Sequence, residues 1–140
     1  MNLEIRSYNP SDYSELRQLY QSSGWFDELV DSEEMINNQI SNEPESILVA
    51  VLDDKIMGTV TLLATGRLAL FFRLISKDDQ DSIIRKSLVE KGQEFFLKKG
   101  YKRYDIIAPE EDSSRQQEYI NLGFIKGNPY RWFWKESKRE

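Results

Sequence analysis

The stretch from Leu70 to Tyr101 constrains the fold more than any other part of the chain. It begins as an apolar run, passes through the charged, turn-like sequence SKDDQDS, and continues as a long segment with apolar residues at helical spacing. A second apolar run, from Tyr104 to Ala108, follows Gly100. This order predicts a strand, a helix and a parallel strand joined by a right-handed crossover. In such a unit the loop before the helix faces a ligand crevice, because the first free N–H groups of the helix attract anions.

The composition limits the chemistry that this crevice can support. The 140 residues include no cysteine and no histidine, which excludes disulfides, thiol nucleophiles, Cys/His zinc sites and histidine-based triads. Acid–base chemistry must therefore use Asp, Glu, Tyr, Lys or water, and we expect no metal site. The length predicts one domain, residues 1–140, with residues 136–140 as a frayed tail.

The charge and hydropathy of the chain narrow the range of partners. The net charge of -5 argues against nucleic acid as the main partner and mildly favours a cationic substrate such as an amine, although most acidic proteins are acidic only for solubility. The mean hydropathy is -0.62, and no apolar run approaches the length of about 18 residues that a membrane span needs. The N-terminal sequence MNLEIRSYNP is charged where a signal peptide is apolar. We therefore expect a cytoplasmic protein with no membrane partner.

The remaining sequence predicts further strands and helices around the central unit. Apolar residues alternate in the first strand and recur at helical spacing in the segments that follow it. Asp53-Asp54-Lys55 predicts a tight turn between two antiparallel strands. Together the patterns predict an α/β (α+β) domain with a mixed, mostly antiparallel sheet of about seven strands, flanked by about four helices. The strands are expected at 3–7, 46–52, 56–64, 67–75, 104–108, 124–125 and 130–134, and the helices at 13–23, 32–43, 82–99 and 109–122.

This order of elements resembles the GCN5-related N-acetyltransferase (GNAT) family over essentially the whole chain. The local sequences that carry the resemblance are LEIRSYNPSDYSELRQLY, LVAVLDDKIMGTVTL, LKKGYKRYDI and EYINLGF. The resemblance implies a GNAT-like single domain that uses acetyl-CoA to acetylate an amine of a small molecule or a protein by direct attack. Many relatives form dimers through their C-terminal strands, and both a monomer and a homodimer remain open.

The family's pyrophosphate loop, Val-x-Pro-x-x-(Gln/Arg)-x-x-Gly-x-(Gly/Ala), is matched only in part. Aligned from Ile75, the motif places Lys77 at the proline position and Gln80 at the Gln/Arg position. The two glycine positions are Ile83 and Arg85. Glycine lets a phosphate approach the backbone closely, and a β-branched isoleucine narrows that approach.

Two hypotheses follow from this departure. In the first, Lys77, Arg85 and Lys86 supply side-chain cations, so that coenzyme A still binds. In the second, Asp81 caps the helix and occupies the N–H groups that would hold phosphate, and the domain is a non-catalytic binding or regulatory module. The cofactor-binding residues implied by the resemblance are Leu74, Ile75, Lys77, Gln80, Ser82, Ile83, Ile84, Arg85 and Lys86.

The resemblance also implies catalytic and substrate-binding residues. Tyr119 lies four residues before a glycine, at the position of the tyrosine that often protonates the departing thiolate. A phenol suits this role because its pKa near 10 lies above that of a thiol. The candidates for the general base are Asp105 and Glu28, with a water chain as a third possibility. The candidates for substrate contacts are Trp25 and Phe26.

Overall fold

A computed structural model describes residues 2–79 and 81–137. The prediction for Gln80 and most of the predicted frayed tail fall outside these residues. The helices and strands are β1 (Leu3–Ser7), a 3-10 turn (Pro10–Asp12), α1 (Tyr13–Ser22), α2 (Glu28–Asp31), α3 (Glu33–Asn42), β2 (Ile47–Leu52), β3 (Lys55–Ala64), β4 (Ala69–Ser76), α4 (Ser82–Lys98), β5 (Asp105–Ile106) and α5 (Ser113–Asn121).

The chain divides into two compact units, residues 1–107 and 108–140. The first unit contains a five-stranded sheet in the order β1-β2-β3-β4-β5. Its strand pairs are antiparallel except for β4 with β5, which are parallel and joined through α4. The predicted α+β class and the mixed, mostly antiparallel sheet are therefore confirmed. The second unit contains α5.

Helices cover both faces of the sheet in the first unit. Successive residues of a strand point to opposite faces, and neighbours on β3 do so here. Thr61 shares a hydrogen bond with Tyr20 of α1, whereas Leu62 faces Gly92 of α4, where an added Cβ would lie 2.8 Å from its side chain. The core on the α1 side includes Tyr8, Leu16, Leu19, Tyr20, Ile36, Ile47, Val49, Ile56 and Ile75.

The turn between β2 and β3 has the conformation that its sequence predicts. Asp53 and Asp54 have φ angles of 51° and 64°, the two left-handed residues of a type I′ hairpin turn. Close to this turn the register of β2 with β3 shifts, since Val51 pairs with Ile56 whereas Ala50 pairs with Gly58. A Cβ at Gly58 would lie 2.6 Å from Ile84 Cγ2, so this glycine permits the close approach of α4 to the sheet.

Two predictions about strands and helices are wrong. The described residues contain five strands rather than about seven, because 124–125 and 130–134 form no hairpin. An isolated two-stranded hairpin is at best marginally stable in water, and Pro129 lacks an N–H for the ladder. The side chains from residue 125 to residue 134 are exposed, including Trp132 and Trp134. The structure also adds the short helix α2 between the first two predicted helices.

No helix in the described part of the chain combines the length and the apolar character needed to cross a membrane.

Candidate functional site

A bulge in β4 is the first feature of the candidate site. The pairing with β3 passes from Thr59 with Ile75 to Thr61 with Phe72, so two residues of β4, Arg73 and Leu74, lie opposite Val60. Arg73 has a φ angle of 55°, in the left-handed region that costs an L-residue about 1–2 kcal/mol. Bulges redirect side chains and occur often beside active sites, where backbone strain is concentrated.

The parallel pairing of β4 with β5 ends just before this bulge. It joins Leu70 to Asp105 and Phe71 to Ile106, whereas β4 continues to Ser76. Leu74 and Ile75, two of the predicted cofactor-binding residues, therefore lie on the part of β4 beyond its last β5 pair. An extended ligand with amide groups can pair with such a strand edge.

The redirected Arg73 side chain forms a buried ion pair with Asp31 at the end of α2. Arg73 Nε lies 3.3 Å from Asp31 Oδ1, and Arg73 Nη2 lies 2.9 Å from Oδ2. The side chains are 10% and 3% exposed. Asp31 Oδ2 also accepts a hydrogen bond from the Asp27 N–H at 2.9 Å. The pair fixes α2 against β4, and each buried charge is compensated by the other.

Three aromatic rings surround the Arg73 guanidinium. Its Cζ lies 4.7 Å from the Phe72 ring centroid, 5.7 Å from that of Trp25 and 5.8 Å from that of Tyr20, within the range of cation–π contacts. Trp25, a predicted substrate-binding residue, thus lies beside this pair with its side chain partly exposed. Phe26 packs against the core on the α1 side instead.

A pocket of about 180 Å³ adjoins the ion pair. A dry cavity of about 150 Å³ is known to hold benzene, so the pocket has room for a group of that size. The charges of Asp31 and Arg73 cancel within its lining. Burial raises the pKa of Tyr20, which keeps this phenol protonated. The lining residues are Tyr20, Val30, Asp31, Ile36, Gln39, Thr61, Leu63, Phe72 and Arg73.

The loop before α4 is organised by its own carboxylate. Asp81 Oδ1 accepts a hydrogen bond from the Ile84 N–H at 3.2 Å, which confirms the predicted cap. Ile83, at the first glycine position of the family motif, is 72% exposed. Ser82 and the predicted side-chain cations Lys77 and Lys86 are exposed as well.

Arg85, which was predicted to supply a side-chain cation to the cofactor, faces inward. Its side chain is 4% exposed, and Nη1 lies 3.8 Å from Asp79 Oδ1. Nη1 also donates a hydrogen bond to Ser76 Oγ. The buried stripe of α4 is wider than the spacing of its apolar residues indicates, since it includes both Ile84 and Arg85. A buried guanidinium at this position is tolerated because it is hydrogen-bonded and lies close to a carboxylate.

These observations bear on how coenzyme A fits the chain. The edge of β4 beyond Phe71 suits the amide-containing pantetheine arm. The loop does not suit a pyrophosphate held by backbone amides, because Asp81 occupies one N–H group and Ile83 projects where close approach is needed. Among the described residues, the loop is therefore the part that departs most from a coenzyme A site.

The predicted acid–base residues lie outside the pocket lining. Glu28 is exposed, with an Oε2 3.7 Å from Arg17 Nη2. Asp105 forms an ion pair with Arg103, with 2.9 Å between Oδ1 and Nε. Tyr119 belongs to the second unit, where it is buried and its hydroxyl lies 3.3 Å from Arg115 Nη1. Within the described residues, no group of three or more acidic side chains is arranged to hold a metal ion.

Most residues that form the pocket are not marked by a pattern in the sequence. Asp31 appears in the sequence as a helix-start residue, and Thr61 and Gln39 carry no local signal. Arg73 is the exception, since it is the one charge in the apolar run ALFFRLI. A lone charge inside a buried strand requires an oppositely charged or hydrogen-bonding partner. This requirement is the sequence signal that identifies Arg73 as a candidate site residue.

Solved structures of acetyltransferases share this fold. The PaiA N-acetyltransferase of Thermoplasma acidophilum, in complex with coenzyme A, is 21% identical and superposes with a TM-score of 0.78 over 93% of this chain and 94% of its own. The aminoglycoside acetyltransferase AAC(6')-Iy, in complex with a bisubstrate analogue, is 15% identical, with a TM-score of 0.77 over 98% and 100%. The aminoglycoside acetyltransferase meta-AAC0020 from a soil metagenomic sample, in complex with sisomicin, is 18% identical, with a TM-score of 0.75 over 97% of both chains.

At these identities the likeness establishes the fold, which is that of the GNAT acetyltransferases. No family model matches the chain, and no curated protein matches its sequence.

Proposed function

We propose that this protein transfers an acetyl group from acetyl-CoA to an amine of a small molecule or a protein. The observation that carries the proposal is the bulge at Arg73, which brings two features together on one strand. Phe72 and Arg73 form a wall of the pocket, and Leu74 and Ile75 continue along the strand edge beyond the last pair with β5. An acceptor in the pocket and an acyl donor along the edge would meet at the bulge. The fold shared with acetyltransferases supports the same conclusion.

The chemistry is direct attack of an amine on a thioester, since the chain has no cysteine to carry the acyl group. Acetyl-CoA supplies the activated acyl group. The pocket orients the amine and excludes water from it, which raises the effective concentration of the nucleophile. Asp105, Glu28 or a bound water removes the proton of the amine. Tyr119 donates a proton to the departing sulfur, a role carried over from the resemblance.

The pocket lining indicates what kind of acceptor fits. Its one carboxylate, Asp31, is bound by Arg73 and by the Asp27 N–H, so the lining offers no uncompensated negative charge to a polycation. Its other walls are mostly apolar and include Ile36, Leu63 and Phe72. We therefore propose an amine that carries a compact apolar group, for which benzylamine is a suitable probe.

The test is acyl transfer with a defined set of reactants. The protein is incubated with acetyl-CoA or S-acetylpantetheine and with benzylamine, spermidine or a peptide with a free N-terminus. Thiol release and the mass of the acetylated amine are measured. We expect Tyr119→Phe to lower turnover about 10²–10⁴-fold with little change in cofactor affinity, since it removes the general acid. Failure to form any acetylated amine with either donor would refute the proposal.

A pair of variants tests the pocket separately. Leu63→Trp adds an indole to the pocket lining and should raise the KM for the amine. Leu68→Trp is the matched control, because Leu68 is exposed and lies outside that lining. Equal amine KM values for the two variants would contradict the assignment of the pocket to the acceptor.

The second candidate function is a non-catalytic binding or regulatory module. The observation that favours it is the loop before α4, where the Asp81 cap and the exposed Ile83 replace an anion cradle. In that case benzylamine would bind in the pocket, and neither donor would yield an acetylated product.

A further inference from the structure

We propose that the acceptor amine carries a carboxamide, whose oxygen accepts a hydrogen bond from Arg73 Nη1 and whose NH2 group donates to the Gln39 side chain. The inference rests on the proposed function, because it names the class of amine that the same pocket takes. Binding of a carboxamide is measured without acyl transfer, so the inference and the proposed function can fail separately.

The Arg73 guanidinium keeps N–H donors that the chain does not use. Its Nε and Nη2 bind the two Asp31 oxygens, and no oxygen of the described residues accepts from Nη1. The surrounding rings do not supply an acceptor, since Phe72 and Trp25 carry no oxygen and the Tyr20 hydroxyl is hydrogen-bonded to Thr61. Because the Arg73 side chain is only 10% exposed, these donors favour a ligand that brings an oxygen to them.

The unused nitrogen of Arg73 faces open space. Within the described residues, the Tyr8 hydroxyl is the one fully buried side-chain nitrogen or oxygen that lacks a hydrogen-bond partner. Arg73 Nη1 lacks such a partner and is therefore not fully buried. The space that Arg73 lines is the pocket of about 180 Å³, so a ligand in this pocket can reach Nη1.

Gln39 supplies the second polar group of the pocket lining. Its Nε2 donates a hydrogen bond to Ser46 Oγ at 2.9 Å, which fixes one end of the side-chain amide. The other end, Oε1, has no partner among the described residues and belongs to a residue that lines the pocket. The pocket therefore presents a charged donor and a neutral acceptor.

A carboxamide matches this pair of groups better than a charged group does. It carries both a carbonyl acceptor and an NH2 donor. A carboxylate has no donor for Gln39, and it would bring a second negative charge close to Asp31, which lines the same pocket. A second cationic group would meet the positive charge of Arg73 and offer it no acceptor.

The deciding experiment compares benzamide, benzoate and benzamidine as ligands of the full chain by NMR titration. The three probes have the same shape and differ only in the head group, which is a carboxamide, a carboxylate or an amidinium. We expect the Kd of benzamide to be lower than that of either charged probe by about tenfold to a hundredfold, the effect of one hydrogen bond to a charged group. A smaller preference, tighter binding of either charged probe, or no binding of benzamide would overturn the inference.

Two pocket variants and a matched control locate the binding. Arg73→Lys keeps a positive charge beside Asp31 and loses the planar fork of donors, so it should weaken benzamide binding about tenfold. Arg6→Lys is the control, because Arg6 also holds an aspartate through two nitrogens, at 2.8 Å and 3.1 Å from Asp12, and lies outside the pocket lining. Equal effects of these two substitutions would contradict the assignment.

Gln39→Met leaves the Arg73 ion pair in place and removes the acceptor amide, so it decides the question even if the Arg73 variant does not fold. We expect it to raise the Kd of benzamide about threefold to tenfold, the effect of one neutral hydrogen bond. An unchanged Kd would remove Gln39 from the site.

Acetyl transfer to 2-phenylglycinamide, which adds a carboxamide to benzylamine, is measured separately. A chain that prefers benzamide and acetylates neither amine would lack the proposed activity and retain the carboxamide site. A chain that acetylates benzylamine without preferring benzamide would have the activity and lack this site.

Discussion

Replacing Asp31 with asparagine should destabilise the protein strongly, because it leaves the charge of Arg73 buried and uncompensated. The two side chains are 3% and 10% exposed and are joined at 2.9 Å. Removing one member of such a buried pair costs about 3–5 kcal/mol, a large part of the total stability of a small protein, which is about 5–15 kcal/mol. At about 2–4 °C per kcal/mol, the melting temperature should fall by about 10 °C.

The double variant Asp31→Asn with Arg73→Met makes this prediction specific to the pair. Both charges are then absent, so we expect the double variant to be more stable than the Asp31→Asn variant. Urea unfolding followed by tryptophan fluorescence gives the unfolding free energies. Arg17→Met is the matched control: it breaks the pair of Arg17 with Glu28 at 3.7 Å, whose side chains are 42% and 66% exposed, and should cost less than about 1 kcal/mol. A double variant no more stable than Asp31→Asn alone, or a cost of Asp31→Asn similar to that of the control, would refute the reasoning.

Three other predictions have clear expected outcomes, the first of them with a matched control. Tyr8→Phe should leave the unfolding free energy unchanged or raise it by up to about 1 kcal/mol, because the buried hydroxyl has no hydrogen-bond partner among the described residues. The control is Tyr13→Phe, which removes a 2.9 Å hydrogen bond. It should lower the unfolding free energy by about 0.5–1.5 kcal/mol in the same urea titration. Gly92→Ala should be destabilising by about 1–3 kcal/mol, since its Cβ would lie 2.5 Å from a buried ring; a rise in the melting temperature would show that helix propensity dominates. Burial opposes ionisation of Asp12, but hydrogen bonds from Arg6 and a backbone N–H outweigh this effect and hold the pKa of Asp12 below its ordinary value of 3.8. The stability that the ionised carboxylate contributes is therefore complete above this ordinary pKa and is lost as the pH falls through the lowered pKa of the folded state. Asp12→Asn should flatten the dependence of the unfolding free energy on pH between about pH 5 and pH 2.

Features of the fold that depend on local chemistry were predictable from the sequence. The end of α1 before Gly24, which has a φ angle of 79°, follows from the preference for glycine after the last turn of a helix. The turn at Asp53 and Asp54 likewise follows from two residues that tolerate left-handed backbone. The hairpin expected at 124–134 was wrong because an apolar, aromatic pattern reports the capacity to pair and not the presence of a partner strand.

The candidate site was less predictable because it depends on contacts that are distant in the sequence. Asp31 and Arg73 are separated by 42 residues, and no local pattern joins them. The bulge that directs Arg73 inward contains no glycine to mark it. The Asp81 cap, by contrast, was predictable because it acts within three residues of its own chain.

The bulge at Arg73 is required by the packing of the core and does not depend on a ligand. Phe71 packs edge-on against Phe96 of α4, with ring centroids 5.1 Å apart, whereas Ile75 belongs to the core on the α1 side. Residues four apart on a regular strand share a face, so a regular β4 could not bury both side chains as observed. The extra residue of the bulge places the Phe71 and Ile75 side chains on opposite faces of the sheet. Burial of each side chain stabilises the fold by about 1.5–3 kcal/mol, which exceeds the backbone strain of about 1–2 kcal/mol at Arg73. The strand edge and the wall of the pocket therefore arise from folding itself, and they persist whether or not the loop before α4 retains its ability to hold a phosphate.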